Sequence, residues 1–232
     1  MHTFLFGVYP YIALTVLLVG SIARYERDPF TWKSSSSQLL RRKQLMVGSI
    51  LFHAGVLFIF AGHVFGLLIP HQIYELMGIH AEAKQVLAAT AGGIAGVAAI
   101  VGGVILAQRR LADPRIRATS SFWDTAILIL LIAQLALGLI SVPYSLATYQ
   151  DGEVLRFMAW AQGIFTFQSG AAAQIEHVAW VYKLHIVLGL TIFIVFPFTR
   201  LVHILSGLAA PIRYLFGRSG YQIVRSRRHP AE

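Results

Sequence analysis

Residues 45–69 read LMVGSILFHAGVLFIFAGHVFGLLI, and residues 178–205 read VAWVYKLHIVLGLTIFIVFPFTRLVHIL. Each run is long enough to cross a hydrocarbon core, which takes about 20 helical residues. Each also carries two histidines: His53 and His63 in the first, His185 and His203 in the second. An ionisable side chain inside a membrane span is costly, so it points to function by default. Two ligands on each of two spans are what a membrane protein needs to hold two haems by bis-imidazole ligation.

Three further apolar runs lie outside this pair, at 4–23, 86–107 and 122–142. The chain of 232 residues is 56% hydrophobic and only 12% charged, a membrane-protein composition. The five runs use up most of it and leave no room for a soluble catalytic domain. The expected fold is an all-α integral membrane protein: one domain over 1–232, a five-transmembrane-helix bundle holding two b haems, with a tail at 207–232. The first run does not read as a signal peptide. It lacks a basic start and is followed by Arg24 and Arg27 rather than a small-residue cleavage site. The connection before the fifth run contains an apolar stretch, 154–167, with Trp160, Phe165 and Phe167. It reads as an interfacial helix on the outer membrane face.

A net charge of +9 is compatible with nucleic acid as a partner, but its distribution is not. Of the 19 Lys and Arg, all but Lys84, Arg156 and Lys183 fall after the first span, after the third, or beyond Thr199. Those three places share one side of the membrane. The positive-inside rule then puts the N-terminus outside and the C-terminus in the cytoplasm. There is no cysteine, so disulfides, iron–sulfur clusters, thiolate-ligated haem and covalent haem attachment are excluded on this chain.

With that topology the second span runs outward and the fifth inward. Depth pairs His63 with His185 near the outside, and His53 with His203 near the cytoplasm. On continuous helices the two pairs would differ by roughly 21 Å in depth, and His185 and His203 would face the same way. Pro197 is placed to kink the fifth span between them. A lone membrane histidine is more often a packing residue than a ligand; two level pairs on antiparallel spans favour ligation. Gly92, Gly93, Gly96, Gly102 and Gly103 crowd the third span and read as close helix packing. Gly62, Gly66 and Gly189, near His63 and His185, fit better with room for a flat macrocycle.

The chain resembles the gamma subunit of respiratory nitrate reductase, a membrane cytochrome b, over nearly its whole length. The resemblance is carried by Leu51-Phe52-His53, Gly62-His63-Val64-Phe65-Gly66, Arg109-Arg110-Leu111, Pro114-Arg115-Ile116-Arg117, Leu184-His185-Ile186-Val187-Leu188-Gly189 and Phe196-Pro197-Phe198-Thr199-Arg200-Leu201-Val202-His203. It departs from the family pattern around 79–82 and 168–173. The resemblance implies two non-covalent b haems, with His63 and His185 as axial ligands of the outer haem iron and His53 and His203 of the inner. It implies quinol oxidation near the outer haem, with Lys84 at the quinol site. Electrons then pass to an iron–sulfur beta subunit and a molybdenum-containing alpha subunit that reduces nitrate in the cytoplasm.

Arg109 and Arg110 are candidate partners of an inner-haem propionate, since a guanidinium fork can bind a carboxylate through two bonds. His71, His80 and Glu82 are candidate acceptors for the quinol protons. The expected location is the bacterial cytoplasmic (inner) membrane, as a multi-pass protein. Two other readings stand beside this one: the haem b subunit of a related sulfite-reducing complex, and a membrane transporter with intramembrane histidines.

Overall fold

The computed structural model describes residues 1–28 and 40–205. The proposed tail at 207–232 and most of the connection after the first span lie outside the described residues. Those described are helical, with no strand among them. The helices are α1 (Tyr9–Arg27), α2 (Arg42–Leu68), α3 (His71–Leu76), α4 (Ala81–Ala112), α5 (Pro114–Ala118), α6 (Phe122–Ala147), α7 (Glu153–Phe165) and α8 (Trp180–Val195). Five segments are long and apolar enough to cross a membrane: Phe4–Arg27, Arg42–Leu68, Ala81–Ala112, Phe122–Ala147 and Trp180–Phe198. Many large apolar side chains on them are exposed, among them Leu18, Phe58, Ile94 and Leu184. In water such faces would be costly; against lipid tails they are at home.

The first span opens with one π-helical turn, Phe4–Val8, closed by the Tyr9 N–H on the Phe4 carbonyl. Pro10, buried just after it, has no N–H to give, so the ladder resets there. At 32 residues α4 is about 48 Å long, well beyond a hydrocarbon thickness of about 30 Å. Its ends therefore reach past the apolar run 86–107 and carry Lys84 at one end and Arg109 and Arg110 at the other.

The tightest helix pair is α2 against α4. Two glycines set that approach. A Cβ on Gly55 would lie 2.5 Å from the Ala95 carbonyl oxygen, and one on Gly102 would strike the backbone of Gly48 and Phe52. Without a hydrophobic drive between helices in lipid, such backbone contact supplies the dispersion energy of association. Beyond α4 the packing continues through α6 to α8, and α1 closes against α8.

The fifth span is not one helix. It stops at Val195, makes a 3-10 turn at Phe196–Phe198, passes through Thr199 in extended conformation (φ −116°, ψ −179°) and resumes with a second 3-10 turn, Arg200–Val202. Pro197 removes one ladder bond and crowds the preceding turn. The expectation that His185 and His203 share one face of a continuous helix is therefore corrected: the helical turn count does not run through 196–202.

Thr199 restarts the chain by accepting the Leu201 N–H on its hydroxyl. The carbonyls left over at the break are taken by Arg24 of α1. Its Nη1 donates to Pro197 O at 2.6 Å and Thr199 O at 2.8 Å. Gly20, one turn earlier, lets α1 come this close, since a Cβ there would sit 2.9 Å from Pro197 Cγ.

The apolar stretch at 154–167 does form a helix, α7, but it lies across the end of the bundle. Gln162 donates to Leu67 O at 3.0 Å at the end of α2, Trp160 Nε1 to Phe6 O at 2.9 Å, and Phe157 meets Tyr182 of α8 with ring centroids 4.9 Å apart.

Two substitutions test this account. Gly102→Val should cost about 1–3 kcal/mol or more by forcing α2 and α4 apart. Arg24→Met keeps the aliphatic stem but leaves two carbonyls unmet, each charge-assisted bond being worth about 1.5–3 kcal/mol. Both should lower the thermal midpoint of the detergent-solubilised protein; a midpoint equal to that of the unaltered chain would refute the packing role concerned.

Candidate functional site

The bundle has two ends of different chemistry, named here by α7 and by the arginines. α2 carries His63 near the α7 end and His53 nearer the arginine end. α8 brings His185 to the first, and the broken segment beyond it brings His203 to the second. The His63 and His185 ring centroids are 6.1 Å apart, and those of His53 and His203 are 6.2 Å apart. Two imidazoles on opposite sides of one metal ion place their centroids about 6 Å apart, because each metal–nitrogen bond is about 2 Å. Both pairs have that spacing.

Three of the rings are already oriented. The Nδ1 atoms of His53 and His63 lie 2.8 Å from the carbonyl oxygens of Ser49 and Ile59, four residues earlier, and His203 Nδ1 bonds the Arg200 carbonyl. A protonated Nδ1 held this way leaves Nε2 with its lone pair, the usual arrangement of a ligating histidine. His185 differs. The Gln134 amide of α6 reaches both its Nε2 and its backbone carbonyl at 3.1 Å, while its Nδ1 is buried with no hydrogen-bond partner. A buried polar atom without a partner is costly, and a bond to a bound group would satisfy it.

The surroundings suit a flat ligand better than a bare ion. No group of three or more His, Cys, Asp or Glu side chains able to hold a metal occurs among the described residues. Two imidazoles alone leave an ion short of ligands, so the remaining ones must come from what is bound. Room exists for it: a Cβ at Gly62, Gly66 or Gly92 would meet nothing within 4 Å. The glycines thus divide by role. Gly96, Gly102 and Gly103 pack against neighbouring helices; Gly189 sits 3.1 Å from the Gln134 amide, so it serves a contact and not open space.

At the α7 end Lys84 is 5% exposed. Its Nζ donates to Gly66 O at 2.8 Å, approaches Met158 Sδ at 2.9 Å and lies 3.8 Å from the centroid of the Tyr74 ring. This ammonium is turned inward, onto a carbonyl of α2 three residues beyond His63, and does not snorkel to solvent. His71 pairs with Glu75 at 3.1 Å, and His80 caps α4 through its backbone.

At the arginine end Arg109 is buried, and its Nη2 donates to Leu40 O at 2.7 Å. Arg110 Nη1 meets Ser120 Oγ at 3.2 Å and Asp124 at 3.9 Å. Asp124 also lies 3.6 Å from Arg200 and closes the capping box of α6 with Ser121. This carboxylate gathers two guanidinium groups beside the His203 segment. The sequence did not reveal that role for Asp124, and Arg24 read there only as a topology signal. Nearby, Arg41 bridges to Asp113 at 2.9 Å. Desolvation works to raise the Asp113 carboxyl. The Arg41 side chain and the backbone N–H groups of Arg115 and Ile116 outweigh it and hold the group below the ordinary carboxylate value.

The family model described as nitrate reductase gamma subunit matches residues 2–227. The chain belongs to the nitrate reductase gamma subunit family. It is 47% identical to the respiratory nitrate reductase 1 gamma chain of Escherichia coli (strain K12) over 228 residues, 98% of each chain. It is 40% identical to the nitrate reductase gamma chain of Bacillus subtilis (strain 168), over 96% of this chain and 97% of that one. Membership of this family fixes a general role in respiratory nitrate reduction, as one chain of an oxidoreductase complex with other subunits. Five apolar helices agree with a multi-pass protein of a bacterial membrane.

Open space beside a ring has a consequence that can be measured. Gly62→Leu should leave the thermal midpoint of the ligand-free chain nearly unchanged, because no protein atom is in the way, yet it should exclude a flat group from the His63–His185 site. Full cofactor loading of that variant would contradict this use of the space.

Proposed function

We propose that this chain is the membrane di-haem b subunit of a quinol:nitrate oxidoreductase. The observation that carries the reading is the pair of imidazole pairs, one toward each end of the bundle, at the spacing two axial ligands require. His63 and His185 would hold the outer haem and His53 and His203 the inner one, both non-covalently. Haem in both places would give the chain a one-electron relay between its two faces. The charge distribution supports an α7 end on the outside and an arginine end in the cytoplasm, with the N-terminus outside and the C-terminus inside.

Quinol is oxidised at the outer end. Lys84 holds a quinol oxygen there and stabilises the negative charge that develops as a proton leaves. The Gly66 carbonyl and the Tyr74 ring position the ammonium, and α7 shields it from bulk water. Protons are released on that side. At the other end Arg110 and Arg200, gathered by Asp124, present guanidinium groups suited to a haem propionate, with Arg109 behind them. The basic cytoplasmic face docks the iron–sulfur beta subunit, which passes electrons to the molybdenum-containing alpha subunit where nitrate is reduced.

Spectra of single variants test the pairing. His63→Ala and His185→Ala should each remove the same outer haem, and His53→Ala and His203→Ala the same inner one. Loss grouped by helix would overturn it, as would a pyridine haemochrome assay giving fewer than two haems in a fully loaded sample. Lys84→Ala should slow quinol-dependent reduction by about 10–100-fold while dithionite-reduced spectra stay intact. Unaltered quinol kinetics would remove Lys84 from the site.

A further inference from the structure

The α7 end contains a second ionisable group that the reading above does not use. Glu153, the first residue of α7, is only 9% exposed. Its Oε2 accepts the Thr148 hydroxyl at 2.7 Å, and the Tyr182 phenol of α8, which donates to Ser141 O at 3.4 Å, lies nearby. Among the described residues it has no ion-pair partner. A carboxylate removed from water without a cation is expensive, so a merely structural helix start would be served more cheaply by Ser or Asn.

Its connections run to both sides of the outer site. Thr148 is reached by the Gln85 amide at 3.5 Å, and Gln85 also accepts the Val154 N–H at 3.0 Å. Gln85 is the neighbour of Lys84 on α4. Tyr182 stands one turn before His185 on α8. Glu153 therefore sits at the end of a chain of polar side chains that starts beside the quinol-site lysine, close to the helix of the outer histidine. On its far side the turn at Gln150 and Asp151 is exposed to solvent. The ionisable group that faces it from another element is Tyr182 on α8. Asp151 and Arg156, on its own segment, are both exposed.

We infer that Glu153 is the proton acceptor and exit for quinol oxidation at the outer end, with Thr148 orienting its carboxylate. The inference rests on the quinol reading above. When a quinol is oxidised, each of its two O–H bonds breaks. Each proton passes to the Glu153 carboxylate and on to the outer solvent at the 148–152 turn, before the next one arrives. Haem held by His63 and His185 would take up the two electrons singly, and quinone remains. Lys84 stabilises the oxygen losing the proton, and Glu153 takes the proton away. The division of labour is that of a charge stabiliser and a general base.

The test is stopped-flow reduction of the haems by menadiol across pH, in membranes holding the full complex. For the unaltered protein the rate should rise with pH. Glu153→Gln keeps an acceptor for Thr148 but cannot take a proton. It should lower the rate by about 100-fold or more and abolish the rising arm, with the dithionite-reduced spectrum and the outer midpoint potential unchanged. Glu153→Asp should restore part of the rate. An unchanged profile, or a slower rate with the same pH dependence, would overturn the inference and leave Glu153 a packing residue. If Glu153→Gln fails to assemble with haem, Thr148→Val decides. Removing one hydroxyl partner should displace the rising arm along the pH axis, and an undisplaced arm counts against the proposal. Failure of the parent reading looks different: menadiol would then reduce no haem even in the unaltered protein.

Discussion

Arg24 holds the fifth span together where its helix breaks. In lipid no water is available to satisfy a backbone group, so an interrupted helix is tolerated only where protein meets the freed carbonyls. The two bonds from Arg24 to Pro197 and Thr199 do this across 173 and 175 residues of sequence. They fix the direction in which the chain resumes, and hence where His203 comes to lie. The short 3-10 turn after Thr199 then places the His203 ring against His53, and the Arg200 carbonyl locks its Nδ1. One guanidinium on the first helix thereby determines a site formed by the second and fifth.

A second constraint acts on the other side of that site. Gly55 and Gly102 bring α2 and α4 to backbone contact, which consumes one face of α2. The rest of that helix is left for His53, His63 and the open space beside Gly62 and Gly66. Small residues thus do two opposite things along the same pair of helices. Some remove side chains so that backbones can touch; others remove them so that nothing touches, and a flat group can lie there.

The two ends solve the charge problem differently. At the arginine end Asp124 neutralises part of the charge of two guanidinium groups and serves a helix cap as well, leaving net positive charge facing the His203 segment. At the α7 end a single ammonium and a single carboxylate are buried apart from each other, each hydrogen-bonded to neutral partners. Both lie in surroundings of low dielectric constant, where a charge acts more strongly on its neighbours than it would in water.

Local pattern made the five spans legible, because about 20 apolar residues with few charges have few other uses. It also made legible the likeness to the nitrate reductase gamma subunit and the pairing of histidines by depth. That pairing follows from antiparallel direction alone, and the structure brings the same rings together. The break at 196–202 was readable only as a kink at Pro197, since a proline marks where a helix fails but not how the chain continues. Which glycines pack and which leave space, the inward turn of Lys84, the capping by Arg24 and the burial of Glu153 were not readable. Contacts among these reach far along the sequence, 18 residues for Lys84 and Gly66 and more than 170 for Arg24 and Pro197. Sequence by itself determined where the chain crosses and which histidines stand level, because both follow from composition and helical rise. Only the tertiary structure decided what each polar group meets inside the bundle, because in an apolar medium every such group must find its partner on another helix or on a bound group.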